Sequence, residues 1–529
     1  MKRSSLFRQA LTGWCLFLSM AAVPCIANSA VYTANPGNYK SMIANLAPGD
    51  TLQLEAGNYT EGLTLRNLHG NAGSPIVISG PQDGTEATIL GRSCCNSVQL
   101  ENSSYLEVRN LTLDGQGIAY IDGVNARGTT HHITVYGLLI VNHGGSAGPD
   151  SDHQLTVGIS TKGPAWDWVI SHNTIIGAGT GVYLGNSDGN EPFVRGVIEY
   201  NLFMNTLGYN MQIKHQNARP QGIGLPSGDS RTIIRHNVFI KAENGSASSS
   251  WARPNLLLGH FPTSGTGSND LYEVYGNFFY QNPNEALFQG EGNLALYDNL
   301  FVNNNGNAIN IQAHKDVPRF ISVFHNTVVA SGRALRVSDV DSRFTQRVIG
   351  NALFAATPFS LSSVVINQDN VTDSYTSAIN YLVNPGGSLG GISLYPLDNT
   401  LTGMAIDMTP LQQFDDWGVD FNGALRNGSY RGAYAAAGAN PGWTPDAAIK
   451  PAAGGVSPEP SPTPAPTPAP APTPAPTEPA TTPTTSQPVV SATSSTDVVK
   501  AGSGGGGAFG PVFLALLWLT VVWVRRNRE

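Results

Sequence analysis

Ser171-His172-Asn173-Thr174, Glu199-Tyr200-Asn201-Leu202 and Arg235-His236-Asn237-Val238 repeat one short phrase: β-forming residues, an asparagine, then apolar residues. Further copies are Val108-Arg109-Asn110-Leu111, Tyr275-Gly276-Asn277-Phe278, Tyr297-Asp298-Asn299-Leu300, Phe324-His325-Asn326-Thr327 and Ile349-Gly350-Asn351-Ala352. One more carries Gly137 in the asparagine's place. Most steps along this column lie in the twenties; others stretch to 36 or 40 residues where an insertion intervenes, as in the steps ending at Asn237 and Asn277. A period of that size, with strand patterns and no helical periodicity, marks a β-solenoid, whose repeats bury their apolar faces only against their neighbours. Asparagine suits the bend between two strands because it tolerates left-handed backbone angles and can bond its equivalent in the next coil. The expected fold is all-β: a single-stranded right-handed parallel β-helix with a structural asparagine ladder.

A second column runs through the same coils. Strand side chains alternate sides, which sets two inward stacks: Ile159, Val182, Met211, Leu256, Ala286, Ile309, Leu335, and Thr161, Leu184, Ile213, Leu258, Phe288, Ile311, Val337. Both are nearly all apolar, as a core requires. The outward columns are then Ser160, Tyr183, Gln212, Leu257, Leu287, Asn310, Arg336 and Lys162, Gly185, Lys214, Gly259, Gln289, Gln312, Ser338. Polar and aromatic groups dominate, with glycines leaving room for a ligand. The longest irregular segments, Asn186 to Glu191, His215 to Asp229 and His260 to Asp270, follow this strand, and Glu243 to Pro254 precedes it in one coil. Loops gathered at one edge of a rigid scaffold are where binding and catalysis concentrate.

Composition fits such a fold. Only 12% of residues are charged while glycine reaches 59, a turn-rich balance. The net charge of −8 argues against a nucleic-acid partner, which needs a basic surface. Lys2, Arg3 and Arg8, an apolar run from Leu11 to Val23 and small residues to Ala30 have the three parts of a secretory signal peptide over 1–30. Its removal leaves Cys94 and Cys95, expected as neighbouring thiols without a role, since adjacent Cα atoms are too close for an easy disulfide.

The solenoid is expected to occupy 31–450. Over 451–507 Pro, Ala, Thr and Gly dominate, a composition that stays disordered and extended; the proline-rich part alone would reach about 100 Å. Ala508 to Val524 is an apolar run near the minimum for a membrane span, and Arg525, Arg526 and Arg528 place its end in the cytoplasm. Gly504 to Gly507, the apolar run and the basic tail together resemble the GlyGly-type C-terminal sorting signal of Gram-negative bacteria. That resemblance implies a chain exported through the inner membrane and held at the cell surface, membrane-anchored or released.

Lys162 and Lys214, two coils apart, should stand roughly 10 Å from each other along the axis. With His215, Arg219, Arg253 and His260 they form a positive strip on an acidic protein. Gln212, Gln289, Gln312 and Arg336 add hydrogen-bonding positions. Such a strip suits an anionic polymer such as a uronic-acid polysaccharide.

Ala47-Pro48-Gly49-Asp50-Thr51-Leu52-Gln53-Leu54-Glu55-Ala56-Gly57-Asn58-Tyr59 and Gly73-Ser74-Pro75-Ile76-Val77-Ile78 resemble the N-terminal coils of chondroitinase-B-like and alginate-lyase β-helix proteins of the pectate-lyase-like superfamily. Asp420-Phe421-Asn422-Gly423 and Arg431-Gly432-Ala433-Tyr434 are similar to the last coil of many secreted β-helix proteins. The resemblance implies a polysaccharide lyase in which an outward lysine abstracts the proton beside the uronate carboxylate. An arginine one coil on assists, and calcium held by acidic residues neutralises the carboxylate. Lys214 matches the lysine. The arginine's column holds Gly259, with His260 beside it and Arg253 nearby, and Tyr209, Asn210 and Gln212 stand where calcium-binding carboxylates are expected.

Chemically, β-elimination needs a base of near-neutral pKa, a cation for the enolate and an acid for the leaving oxygen. Lys214 fits the base if neighbouring cations crowd it, Arg219 or Arg253 the carboxylate partner, and Tyr183 or His260 the acid. Asp150-Ser151-Asp152 resembles a fragment of a calcium loop without its remaining spacing. Hydrolysis needs paired carboxylates on one face, and the derived columns contain none. The rival reading is a non-catalytic adhesin or glycan-binding surface protein. In either case the chain is expected to act as a monomer.

Overall fold

A computed structural model describes residues 29–144, 156–242 and 252–452. The signal segment, most of the 243–254 insertion, the Asp150-Ser151-Asp152 fragment, the linker and the C-terminal apolar run lie outside them. Among the described residues no helix is long and apolar enough to cross a membrane.

Among the described residues thirty-four strands pair in parallel as a parallel β-helix, with each coil crossing three ribbons in turn. The first sheet runs from Val31–Ala34 through Thr51–Leu54 and Ile76–Ser79 to Ile366–Gln368. After the asparagine bend comes the second sheet, from Gly57–Tyr59 to Val371–Asp373. The third begins with Leu63–Arg66 and includes Val157–Thr161, Thr180–Leu184, Met211–Ile213, Leu256–Leu258, Phe288–Gly290 and Ile309–Ile311. The short helix Tyr39–Ile43 buries Tyr39 and Ile43 over the first coils, and the Tyr39 hydroxyl donates to the Gly62 carbonyl at 2.9 Å. Inside, like side chains stack on like: Phe203, Phe239, Phe279 and Phe301 lie 5.0, 4.7 and 4.5 Å apart in sequence.

The ladder is present but shifted by one residue at its start. It runs Asn173, Asn201, Asn237, Asn277, Asn299, Asn326, Asn351 and Asn370, each amide bonding the next at 2.8 to 3.0 Å. The left-handed residue is the one before each asparagine, such as His172 (φ 58°), Tyr200 (φ 50°) and Asp298 (φ 51°). Asn110 and Gly137 occupy that left-handed column, in register with His172, and Leu138 fills the asparagine's place below Asn173. Asn110 is therefore not a ladder member, while Asn370, absent from the sequence reading, closes the ladder.

One coil also slips by two residues. Phe288 pairs with Leu256 and Ile309, so Phe288 and Gly290 face inward where Ala286 and Phe288 were expected. Leu287 is fully buried at the corner instead of outward, Gln289 takes the Tyr183 column, and Glu291 takes the Lys214 column. Cys94 and Cys95 are joined in a disulfide rather than standing as two thiols, within a turn closed by the Arg92–Cys95 bridge.

The coils end at Asp373. Asp420 to Gly423 and Arg431 to Tyr434 are not a last coil; they belong to a return strap that lies on the outside of the cylinder. Leu382, Ile392, Leu394, Tyr395, Phe421 and Tyr434 cover the second sheet at Val238, Phe278, Leu300 and Phe354. Ile406, Leu411 and Phe414 cover the first at Tyr275, Tyr297 and Phe324. Polar locks fix the strap: Arg426 pairs with Asp298 deep in the interface, and Lys450 Nζ donates to the Gly276 and Phe421 carbonyls at 3.1 and 2.8 Å. Of the three outer faces, the strap leaves the third sheet open.

Candidate active face on the third sheet

The open face carries the two outward columns in register. Ser160, Tyr183, Gln212, Leu257, Gln289, Asn310 and Arg336 form one. Alternation from Thr161, Leu184, Ile213, Leu258, Gly290, Ile311 and Val337 sets the other as Lys162, Gly185, Lys214, Gly259, Glu291, Gln312 and Ser338.

The wall beside these columns is one connected structure. Asn217 bonds the 186–191 loop through the Asp188 carbonyl and Asn190 Oδ1, both at 2.9 Å, and Gln216 N–H donates to the His260 carbonyl. Arg219 N–H reaches Thr266.

Tyr183 sits at the centre. Lys162 Nζ lies 3.5 Å from its ring centre and Lys214 Nζ 5.6 Å. Its hydroxyl is 2.8 Å from Ser187 Oγ, and burial raises its pKa, so the phenol keeps its proton. Burial brings the Lys214 ammonium down to about 8, and Lys315, Lys162 and Arg253 press the same way while Glu291 opposes them. Lys162 is also lowered, chiefly by burial. Among the described residues neither lysine makes an ion pair.

His215 and His260 stack at 5.1 Å on neighbouring coils. Burial first, then Lys315, His260 and Lys214, push His215 down to about 4, so it is neutral near pH 7. His260 Nδ1 is 3.1 Å from the Phe261 carbonyl and 3.8 Å from Asp316. Between these histidines Gly259 has no substitute: a Cβ there would lie 2.3 Å from His215 N. A side chain at that position would force the His215 backbone to move, so the arginine implied by the resemblance is not accommodated there.

The remaining positions divide. Arg253 packs its guanidinium 5.8 Å from the Tyr209 ring and acts on Lys214 through its charge. Gln212 is buried beside these groups. Gln289 donates to Glu285 at 2.8 Å, Gln312 is half-buried, and Arg336 turns onto Ser338 Oγ at 2.8 Å. Arg219 is a correction: its side chain is 2% exposed, paired with Asp270 and bonded to the Pro226 and Gly228 carbonyls. Buried inside the wall loops with its terminal nitrogens committed there, it does not face a ligand on the open side.

Sequence reading missed Glu291, Lys315 and Arg127. Glu291 was hidden by the two-residue slip, and it removes the premise that the columns hold no carboxylate. Arg127 lies one coil below Lys162, since Lys162 N–H donates to the Ala126 carbonyl. The calcium implied by the resemblance fits this set poorly. Glu291 is the carboxylate nearest Lys214 in the columns, its Oε2 already accepts two backbone N–H groups, and three lysines crowd the same region. A separate cavity of about 690 Å³, lined by Gln82, Arg109 and Tyr136 among others, shares no residue with this face.

Fold and face together define a parallel β-helix with one open, cation-bearing side. No protein-family model matches the chain, and no curated protein matches it. Among solved structures it is similar to an alginate lyase from Paenibacillus sp. str. FPU-7, at 15% identity over 65% of this chain and 99% of that one, with a TM-score of 0.35. It is also similar to a PL6 family polysaccharide lyase from Pseudopedobacter saltans, at 11% identity over 65% and 93%, TM-score 0.44. Pectate lyase Pel9A matches at 12% identity over 72% and 89%, TM-score 0.40. At these values the likeness adds nothing to the fold that the strand register itself draws.

Proposed function

We propose that the protein is an exported polysaccharide lyase that cleaves a uronic-acid polymer by β-elimination, with Lys214 as the base. The observation that carries this reading is the crowding of Lys214, an outward amine brought to about 8 by burial and by Lys315, Lys162 and Arg253. A neutral amine near physiological pH is what proton abstraction beside a carboxylate requires.

In this reading Lys214 Nζ takes the proton from the carbon next to the uronate carboxylate. The C–H electrons pass first into the carboxylate as an enolate, and then form the new C=C bond as the glycosidic C–O bond breaks. Tyr183, still protonated and over which both lysines lie, delivers a proton to the leaving oxygen; His260 is the alternative donor. Lys162, Lys315 and Arg253 stabilise the negative charge on the enolate-like intermediate. Lys162, Gln212, His215, Gln289, Gln312 and Arg336 contact the chain on either side. No step passes through calcium. The terminal segments support export, tethering at the cell surface and a partner membrane.

The test is to incubate the purified protein with alginate, polygalacturonate and chondroitin and follow the ultraviolet absorbance of unsaturated products. No absorbance with any uronate polymer removes the lyase reading. The surface-adhesin reading then remains, which requires binding without turnover.

A further inference from the structure

We infer that Lys315 receives the carboxylate of the reactive uronate, seating it over the notch at Gly259, and that Glu291 positions Lys315 for this. The inference deepens the lyase reading of Lys214 by naming the partner of the substrate's acid group.

Elimination beside a carboxylate needs a cation on that carboxylate, which otherwise resists the further negative charge of the enolate. The resemblance puts an arginine there, one coil beyond the lysine, where this chain has Gly259. Lys214, Gly259 and Glu291 follow one another in consecutive coils, because Ile213 pairs with Leu258 and Leu258 with Gly290. Lacking a side chain, Gly259 leaves a gap in the column between an amine and a carboxylate.

The bend after Gln312 leans back toward that gap. His314 and Lys315 donate their backbone N–H groups to Glu291 Oε2 at 3.0 and 2.8 Å, one coil back. Asp316 Oδ2 lies 3.8 Å from His260 Nδ1, two coils back, and His260 stacks on His215, the neighbour of Lys214. Glu291 is only 7% exposed, and two donors on one oxygen fix it in place. The carboxylate thus grips the main chain of Lys315 and leaves its ammonium alone. Lys315 is exposed, and among the described residues its ammonium makes no hydrogen bond or ion pair. Other cations of the face are engaged: Lys162 lies over the Tyr183 ring, Arg253 against Tyr209, and Arg219 is paired with Asp270 inside the wall. After burial, Lys315 is the strongest influence lowering the basicity of both Lys214 and His215, as a charge near both would be. An unanswered ammonium on a fixed backbone, beside a notch, is an arrangement that a bound carboxylate completes.

The experiment measures binding by calorimetry with oligomers of alginate and of polygalacturonate, each as free acid and as methyl ester. A Lys214→Ala background keeps the oligomers from being turned over. At least one acid should bind about tenfold more tightly than its ester. Adding Lys315→Met should cut that gap to about threefold or less, whereas Lys315→Arg should keep most of it. Arg343→Met, which removes an exposed cation paired with Asp341, should leave the gap unchanged. An acid bound no more tightly than its ester, a gap that survives Lys315→Met, or an equal loss in Arg343→Met would overturn the inference. The lyase reading has its own readout. A parent protein silent in the absorbance assay, with the gap still closed by Lys315→Met, removes the elimination chemistry and leaves Lys315 as the carboxylate's seat.

Discussion

Lys162 holds its ammonium 3.5 Å from the centre of the Tyr183 ring, across coils whose neighbouring residues Ser160 and Tyr183 pair in register. Lys214 lies over the same ring at 5.6 Å. Two cations and one phenol thus act as a unit: the ring's electron-rich face eases the crowding that keeps Lys214 only weakly basic.

Removing Lys162 should therefore move the pH profile. Lys162 lowers the Lys214 pKa, so Lys162→Met raises it, and the alkaline rise in kcat/KM shifts to higher pH by less than about one unit. The pH dependence of initial rates measures this. A shift toward lower pH contradicts the arrangement.

For the unaltered protein the rate should climb with pH through about 8, because the active form of Lys214 is the unprotonated one. Lys214→Ala should lower kcat by about a hundred- to ten-thousandfold while leaving binding of the polymer within a few fold. Calorimetry alongside rate assays separates the two effects; equal losses in both would make Lys214 a binding group.

The ladder should be costly to break in the middle and cheap at the end. Asn299 accepts both bonds from Asn277 at 3.0 Å and donates to Val274 and Asn326, all in a fully buried column. Asn299→Ala strands these groups and should cost about 3 kcal/mol. Asn370→Ala, at the partly exposed last rung, should cost about 1 kcal/mol, because water can replace the missing amide. Denaturant titration of both variants checks the ratio.

Arg219→Met should act on stability rather than on chemistry. Asp270, which burial already raises to about 6, loses its partner. Breaking such a pair costs about 3 to 5 kcal/mol. The Asp270 carboxylate is then harder still to ionise, so the fall of stability with rising pH, which in the parent levels off near 6, should continue to higher pH in the variant. Thermal melts at rising pH test the sign, and the pH midpoint of catalysis should stay where it is.

The fold was legible because the asparagine period survives insertions of very different length. The rungs were harder to place. A left-handed position and a ladder position are adjacent, and asparagine suits both, so Asn110 and Asn173 look alike in sequence although only the latter bonds a neighbouring rung. The slip at Leu287 has a similar origin: Ala286, Leu287 and Phe288 are all apolar, so alternation could not choose between them, and Glu291 stayed hidden. The burial of Arg219 depends on Asp270, 51 residues away, a pairing that no local pattern announces. Lys214, by contrast, follows an unambiguous Met211-Gln212-Ile213 alternation, and the register places it where that pattern indicated.

The return strap also determines how the cylinder bears a load. The described chain leaves two residues past Lys450, whose amine is sunk against Gly276 and Phe421 beside coils in the middle of the stack. Tension on the polypeptide beyond that point enters the cylinder at its waist, through the flank away from the third sheet. The pull is spread over many coils at once instead of peeling one from the tip.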